Sequence, residues 1–148
     1  MKKLITFNQN LGEKFSIAKD IPLLLLRIIL AVGFAGPAIM KLKDINSIAE
    51  WFESMEMPLP LLNAYLATYT EVFGFLFLAV GFATRIISIP LIIVMLVAIK
   101  TVHLENGFEA GNNGFEIPLY YILMLLVLLV YGPGKFSLDY LINRNSKK

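Results

Sequence analysis

Four stretches of this chain are too apolar and too long to sit comfortably in water. They run from Ile21 to Lys41, from Pro60 to Ala83, from Ile86 to Val102 and from Ile117 to Tyr131. A helix that crosses a hydrocarbon core of about 30 Å needs roughly 20 such residues. The first run is broken only by Arg27, and the second carries Glu71 alone. The third holds 14 uncharged residues before Lys100, and the fourth has no charge. One run of this kind could be the core helix of a soluble domain, but four in 148 residues leave nothing polar to surround them. Apolar residues make up 57% of the chain and charged residues 16%, against about 45–50% and about 25% in ordinary soluble domains. The expected fold class is therefore all-α, an integral membrane four-helix bundle.

The ends of the runs carry the expected punctuation. Pro22 falls in a first helical turn, where a missing N–H costs nothing, Pro58 and Pro60 lead into the second run, and Gly132-Pro133-Gly134 stops the fourth. Arg27 does not exclude the first span. Its cost at a helix centre is about 2.5–3.5 kcal/mol, whereas each Leu, Ile, Phe or Val returns about 0.3–0.6 kcal/mol, and eleven of these lie from Ile21 to Lys41. Lys100 is expected to snorkel outward on its long stem. Pro37, in the small-residue segment from Gly33 to Ala38, frees the Gly33 carbonyl and favours close packing or a kink that opens a pocket.

An even number of spans leaves both termini on one side, together with Lys2, Lys3, Lys14, Lys19, Arg85, Lys135, Arg144, Lys147 and Lys148. The opposite loops hold Lys41, Lys43 and Lys100 among seven acids, so the excess of basic residues puts both termini in the cytoplasm. No cleaved signal peptide is expected, since the first long apolar run begins at residue 21 without a small-residue cleavage site after it. The chain divides into a cytoplasmic amphipathic segment over 1–20, with Leu4, Phe7, Leu11 and Phe15 as its apolar stripe, a membrane domain over 21–141 and a basic tail over 142–148. In the first outer loop, Ile45, Ile48, Phe52 and Met55 recur at helical spacing, and Ser47 to Glu50 matches a capping box. A short amphipathic helix is expected there.

Composition also removes whole classes of chemistry. Without cysteine there is no thiolate nucleophile, Cys-ligated zinc or iron–sulfur cluster, and the single histidine, His103, excludes a site that needs two imidazoles from one chain. A net charge of +2 offers little to nucleic acid.

Ionisable groups inside an apolar layer are expensive and point to function or to helix pairing. Glu71 lies near the middle of the second run, and Ala64, Ala67, Gly74, Leu78 and Gly81 make a mostly small-residue stripe on its face, so it should point at another helix. Arg27 and Lys100 are both at compatible depth to meet it, with Arg27 slightly preferred for its forked guanidinium. Such a pair is either an interhelical clamp or a proton-handling or ligand-binding site. A second cluster is expected at the outer mouth, where Lys100 and His103 share a helix face and Asn106-Gly107 and Asn113-Gly114 turn the chain so that Glu116 approaches His103. Lys41 emerges on that side. No metal site is expected.

Several short motifs, in order and spacing, give the chain a resemblance to the DoxX family of small four-span bacterial membrane proteins. They are Leu25-Leu26-Arg27-Ile28 leading to Lys41-Leu42, Thr70-Glu71-Val72-Phe73-Gly74 with Gly81 and Thr84-Arg85, Lys100-Thr101-Val102-His103 followed by Asn106-Gly107-Phe108, Gly114-Phe115-Glu116-Ile117-Pro118, and Gly132-Pro133-Gly134 with Ser137-Leu138-Asp139. The resemblance covers about Leu23 to Leu141 and implies a bacterial inner-membrane location. It also implies that Arg27, Lys41, Glu71, His103 and Glu116 correspond to the family's recurring polar positions. Many members carry His-Gly where this chain has Ala35-Gly36. Because the family takes its name from a subunit of a thiosulfate:quinone oxidoreductase, the resemblance implies an accessory subunit of a quinone-linked system. A bound quinone would be its cofactor, another membrane or redox protein its partner, and Glu71 with Tyr65, Tyr69 and Phe73 its polar slot. The rival expectation is a non-enzymatic scaffold, chaperone or small-molecule carrier, with a homo-oligomer compatible with either. Whether the chain is itself an enzyme stays open at this point.

Overall fold

A computed structural model describes residues 18–145; the stripe expected over Leu4 to Phe15 lies outside the described residues. Helix α1 spans Asp20–Lys43, α2 Ile45–Ser54, α3 Pro60–Val80, α4 Thr84–Ala98, α5 Glu116–Tyr131 and α6 Leu138–Asn145. Helix α4 runs on through a π-helical turn at Ile99–His103 and a 3₁₀ turn at Leu104–Asn106. Helices α1, α3 and the continuous stretch Thr84–Asn106 are long and apolar enough to cross a membrane. Helix α5 is apolar but has 16 residues, about 24 Å at 1.5 Å per residue.

Helix α3 sits at the centre, packed on α1, α2 and α4, while α5 packs mainly on α4 and closes back onto α1. Leu30, Phe34, Leu78, Leu91, Leu125 and Leu128 from these four long helices form a core with almost no exposure. Outward-facing positions are equally apolar: Val32, Ile86 and Val130 are 71%, 73% and 65% exposed. A helix that is apolar on its packed face and on its open face belongs in lipid, where there is no penalty for either.

Glycine sets the helix spacing at the α3–α4 contact. A Cβ on Gly74 would sit 2.6 Å from Leu91 Cδ2 and 3.1 Å from its Cγ, and Leu91 is fully buried. Gly74→Ala is expected to cost about 1–3 kcal/mol by overpacking, read as a lower unfolding temperature in detergent. Adding Leu91→Ala should return part of it.

Several boundaries differ from the sequence expectation. The second run stops at Val80 instead of Ala83, because Gly81 adopts a left-handed φ of 70° and turns the chain while its N–H still bonds Phe77 O. The amphipathic helix expected between the first two runs forms, but the cap is Asp44, whose side chain accepts from Ser47 N, and not a Ser47–Glu50 box. Residues 142–145, assigned to the tail, continue helix α6.

Candidate functional site

Glu71 lies on the buried face of α3 with Ala64, Thr68, Gly74 and Leu78 and is only 2% exposed. Its partner is neither Arg27 nor Lys100. Lys41 Nζ donates to Glu71 Oε1 at 2.5 Å. Lys41 stands in the last turn of α1, and its aliphatic stem carries the ammonium inward along an apolar wall, the reverse of snorkelling. A residue that sequence reasoning left at the rim is therefore half of the buried pair.

Arg27, 1% exposed, serves the opposite end of the bundle. Its Nε donates to Leu78 O, Nη2 to Ala79 O, and Nη1 to both Pro133 O and Phe136 O. The last carbonyls of a helix have no partner within it, and a cation there also suits the helix dipole. Arg27 thus caps α3 and ties that end to the turn after α5. Asp139, which closes the last of the resemblance motifs but was given no role there, caps the next helix: its carboxylate accepts from Ala83 N and Thr84 N.

A cavity of about 810 Å3 opens beside the Lys41–Glu71 pair. Gly33, Phe34, Pro37 and Met40 of α1 form one wall, Asn63, Leu66, Ala67 and Thr70 of α3 a second, and Pro90, Ile93, Val94 and Ala98 of α4 with Tyr121 of α5 a third. Ile48, Trp51 and Phe52 of α2 and the following Met57 complete the lining. The amphipathic stripe of α2 was the only sequence signal for this last wall. Gly33 and Pro37, expected to open a pocket, line it. Apart from Lys41, Glu71 and His103 the walls carry only a few hydroxyl and amide groups. A concave, mostly apolar space with a few converging polar groups is what small-molecule sites look like.

His103 reaches this cavity, but its Nδ1 is 2.8 Å from Asn113 O. A carbonyl only accepts, so Nδ1 carries the proton and a neutral ring leaves Nε2 as an acceptor. Glu116 forms no ion pair with it among the described residues: its oxygens accept from Ala110 N and Tyr120 OH, bonds that order the loop before α5. Lys100 is exposed and outside the cavity lining. The π-helical turn explains this, since i→i+5 pairing rotates residues three apart away from the shared face of an α-helix. The aromatic slot is also corrected. Tyr65, Tyr69 and Phe73 stack on one another along an exposed face of α3, with centroids 6.2 and 6.4 Å apart. Positions two from Glu71 lie on the other side of a helix. Among the described residues, no three His, Asp or Glu side chains gather where they could hold a metal.

The DoxX family model matches residues 22–104, a segment that contains Arg27, Lys41, Glu71 and His103. An uncharacterized protein of Haemophilus influenzae is 35% identical over 133 residues, covering 86% of this chain and 87% of that protein. A Bacillus subtilis protein named "Putative oxidoreductase CatD" is 29% identical over 129 residues, 86% of this chain and 92% of its own. No solved structure matches. The matched family segment and the Haemophilus relative, together with three helices long and apolar enough to cross a membrane, identify the chain as a membrane protein that belongs to the DoxX family.

Proposed function

We propose that this protein is the membrane-embedded accessory subunit of a quinone-linked oxidoreductase system, and that the cavity beside Lys41 and Glu71 holds the quinone. The single observation that carries this reading is a charged pair at the wall of an otherwise apolar cavity. Ionisable groups at membrane depth are costly enough that they usually serve a ligand or a proton. A volume of about 810 Å3 lies in the range of about 300–1,000 Å3 common for ligand sites, enough for a quinone ring and the start of its tail. Phe34 and Tyr121, packed edge to face with centroids 5.3 Å apart, both contribute aromatic surface to the lining. Glu71 and Lys41 orient the head, and the apolar lining excludes bulk water. When bound, a quinone supplies two-electron chemistry to an electron-delivering partner. The Bacillus relative's name agrees with this reading.

The same proposal has α5 crossing as a fourth span, both termini in the cytoplasm and the inner membrane as location; α5 would have to do so with about 24 Å of helix. A carrier is the second reading, favoured by the way the α2 wall, with Trp51 44% exposed, covers the cavity. Extraction in mild detergent should yield the protein with quinone in the organic extract, and Lys41→Met/Glu71→Leu, which removes both polar partners, should reduce that quinone about tenfold or more while the helical circular dichroism is unchanged. A folded mutant with undiminished quinone, or wild-type protein that carries none and binds none when it is added, overturns the proposal.

A further inference from the structure

Glu71 has two oxygens, and the protein serves one. Oε1 receives Lys41, whereas Oε2, fully buried, has no hydrogen-bond partner. A buried carboxylate oxygen without a donor is costly, and native structures rarely tolerate it. Glu71 also lines the cavity, so a ligand there can supply the missing donor. As the anion of an ion pair, Glu71 can only accept. Lys41 has three N–H donors, of which one is seen to be engaged by Glu71. A head group seated at this pair therefore meets an acceptor and a donor side by side.

We propose that the cavity selects amphiphiles whose head is a hydroxyl that donates to Glu71 Oε2 and accepts from Lys41 Nζ. A hydroxyl does both through one oxygen. A carbonyl or ether can accept from Lys41 but leaves Oε2 unserved. The selected class is therefore hydroquinones, phenols and other hydroxyl-headed apolar molecules, in preference to quinones and ethers of the same size. For a redox pair, the reduced form is held more tightly than the oxidised form. This inference rests on the reading that the cavity holds an amphiphile, but not on that amphiphile being a quinone.

Trp51 is the only tryptophan of the chain and lines the cavity, so its fluorescence reports occupancy. The wild-type protein in detergent is titrated with decyl-benzoquinone and, under argon, its hydroquinone, and separately with 4-nonylphenol and 4-nonylanisole. The hydroxyl-bearing member of each pair should bind about tenfold or more tightly, the size expected when a buried acceptor would otherwise stay unpaired. In Glu71→Gln the amide offers a donor of its own, and both preferences should shrink to within about threefold. If that variant does not fold, Lys41→Gln/Glu71→Gln takes its place with the same expectation. Equal or reversed affinities in wild-type protein overturn this inference while leaving the quinone reading standing. Preference for the phenol, with no binding of either quinone form, supports it and defeats the quinone reading. Absence of binding by all four compounds overturns both.

Discussion

Lys41→Met is expected to destabilise the detergent-solubilised protein by about 3–5 kcal/mol, because it strands an uncompensated carboxylate in a buried site. For a chain of this size, that is a fall in unfolding temperature on the order of 10 °C. The magnitude follows from where Glu71 sits. At 2% exposure it cannot recover hydration, and the ammonium of Lys41 is its one protein partner among the described residues. The double variant Lys41→Met/Glu71→Leu should regain most of the loss, since replacing a buried pair with apolar groups is often neutral or better. A folded double variant without bound amphiphile would show that the pair serves the cavity and not the bundle. Thermal unfolding of the two variants beside wild type measures this. A single variant as stable as wild type would mean that the pair is not buried as described.

Arg27→Ala should produce a loss of similar size, roughly 3–5 kcal/mol, for a different physical reason. Among the described residues no carboxylate forms an ion pair with Arg27, on which Asp139 acts only through its field; its hydrogen bonds go to four backbone carbonyls, at Leu78, Ala79, Pro133 and Phe136. Removing it leaves the last carbonyls of α3 unserved and releases the turn after α5. Arg27→Lys separates charge from geometry. An ammonium keeps the cation near the helix end but cannot reproduce the planar fork, so less than half of the loss should be recovered. Hydrogen exchange should locate the damage at Leu78 to Gly81 and Pro133 to Ser137, with the cavity walls unaffected. Full recovery by lysine would show that charge alone is what this end of the bundle needs.

These two residues mark the boundary of what was legible in the chain. That Glu71 is buried followed from its position within an apolar run, since a charge in lipid must turn inward; the long side chain of Arg27 could have reached either the headgroups or a partner. That they would meet did not follow. Axial depth alone allowed it, but an antiparallel pair of helices has a register and a rotation, and these put Arg27 against the end of α3 and Lys41 against its middle. Lys41 was invisible as a core residue because a lysine at a span end ordinarily reaches for water. Tyr121 gave no signal either, since tyrosine is frequent near membrane interfaces, and only the packing of α5 on α1 and α4 brings it to the cavity.

Taken by itself, the sequence determined the helical class, the turn after the fourth run, the amphipathic helix between the first two runs and the costly carboxylate at position 71. All of these depend on residues close together in the chain, through apolar length, periodicity and the backbone preferences of proline and glycine. Tertiary structure alone decided which cation neutralises that carboxylate, which oxygen remains open and which walls enclose the space beside it. Those outcomes depend on side chains 30 to 100 positions apart, brought together by helix packing whose rotation no local pattern encodes.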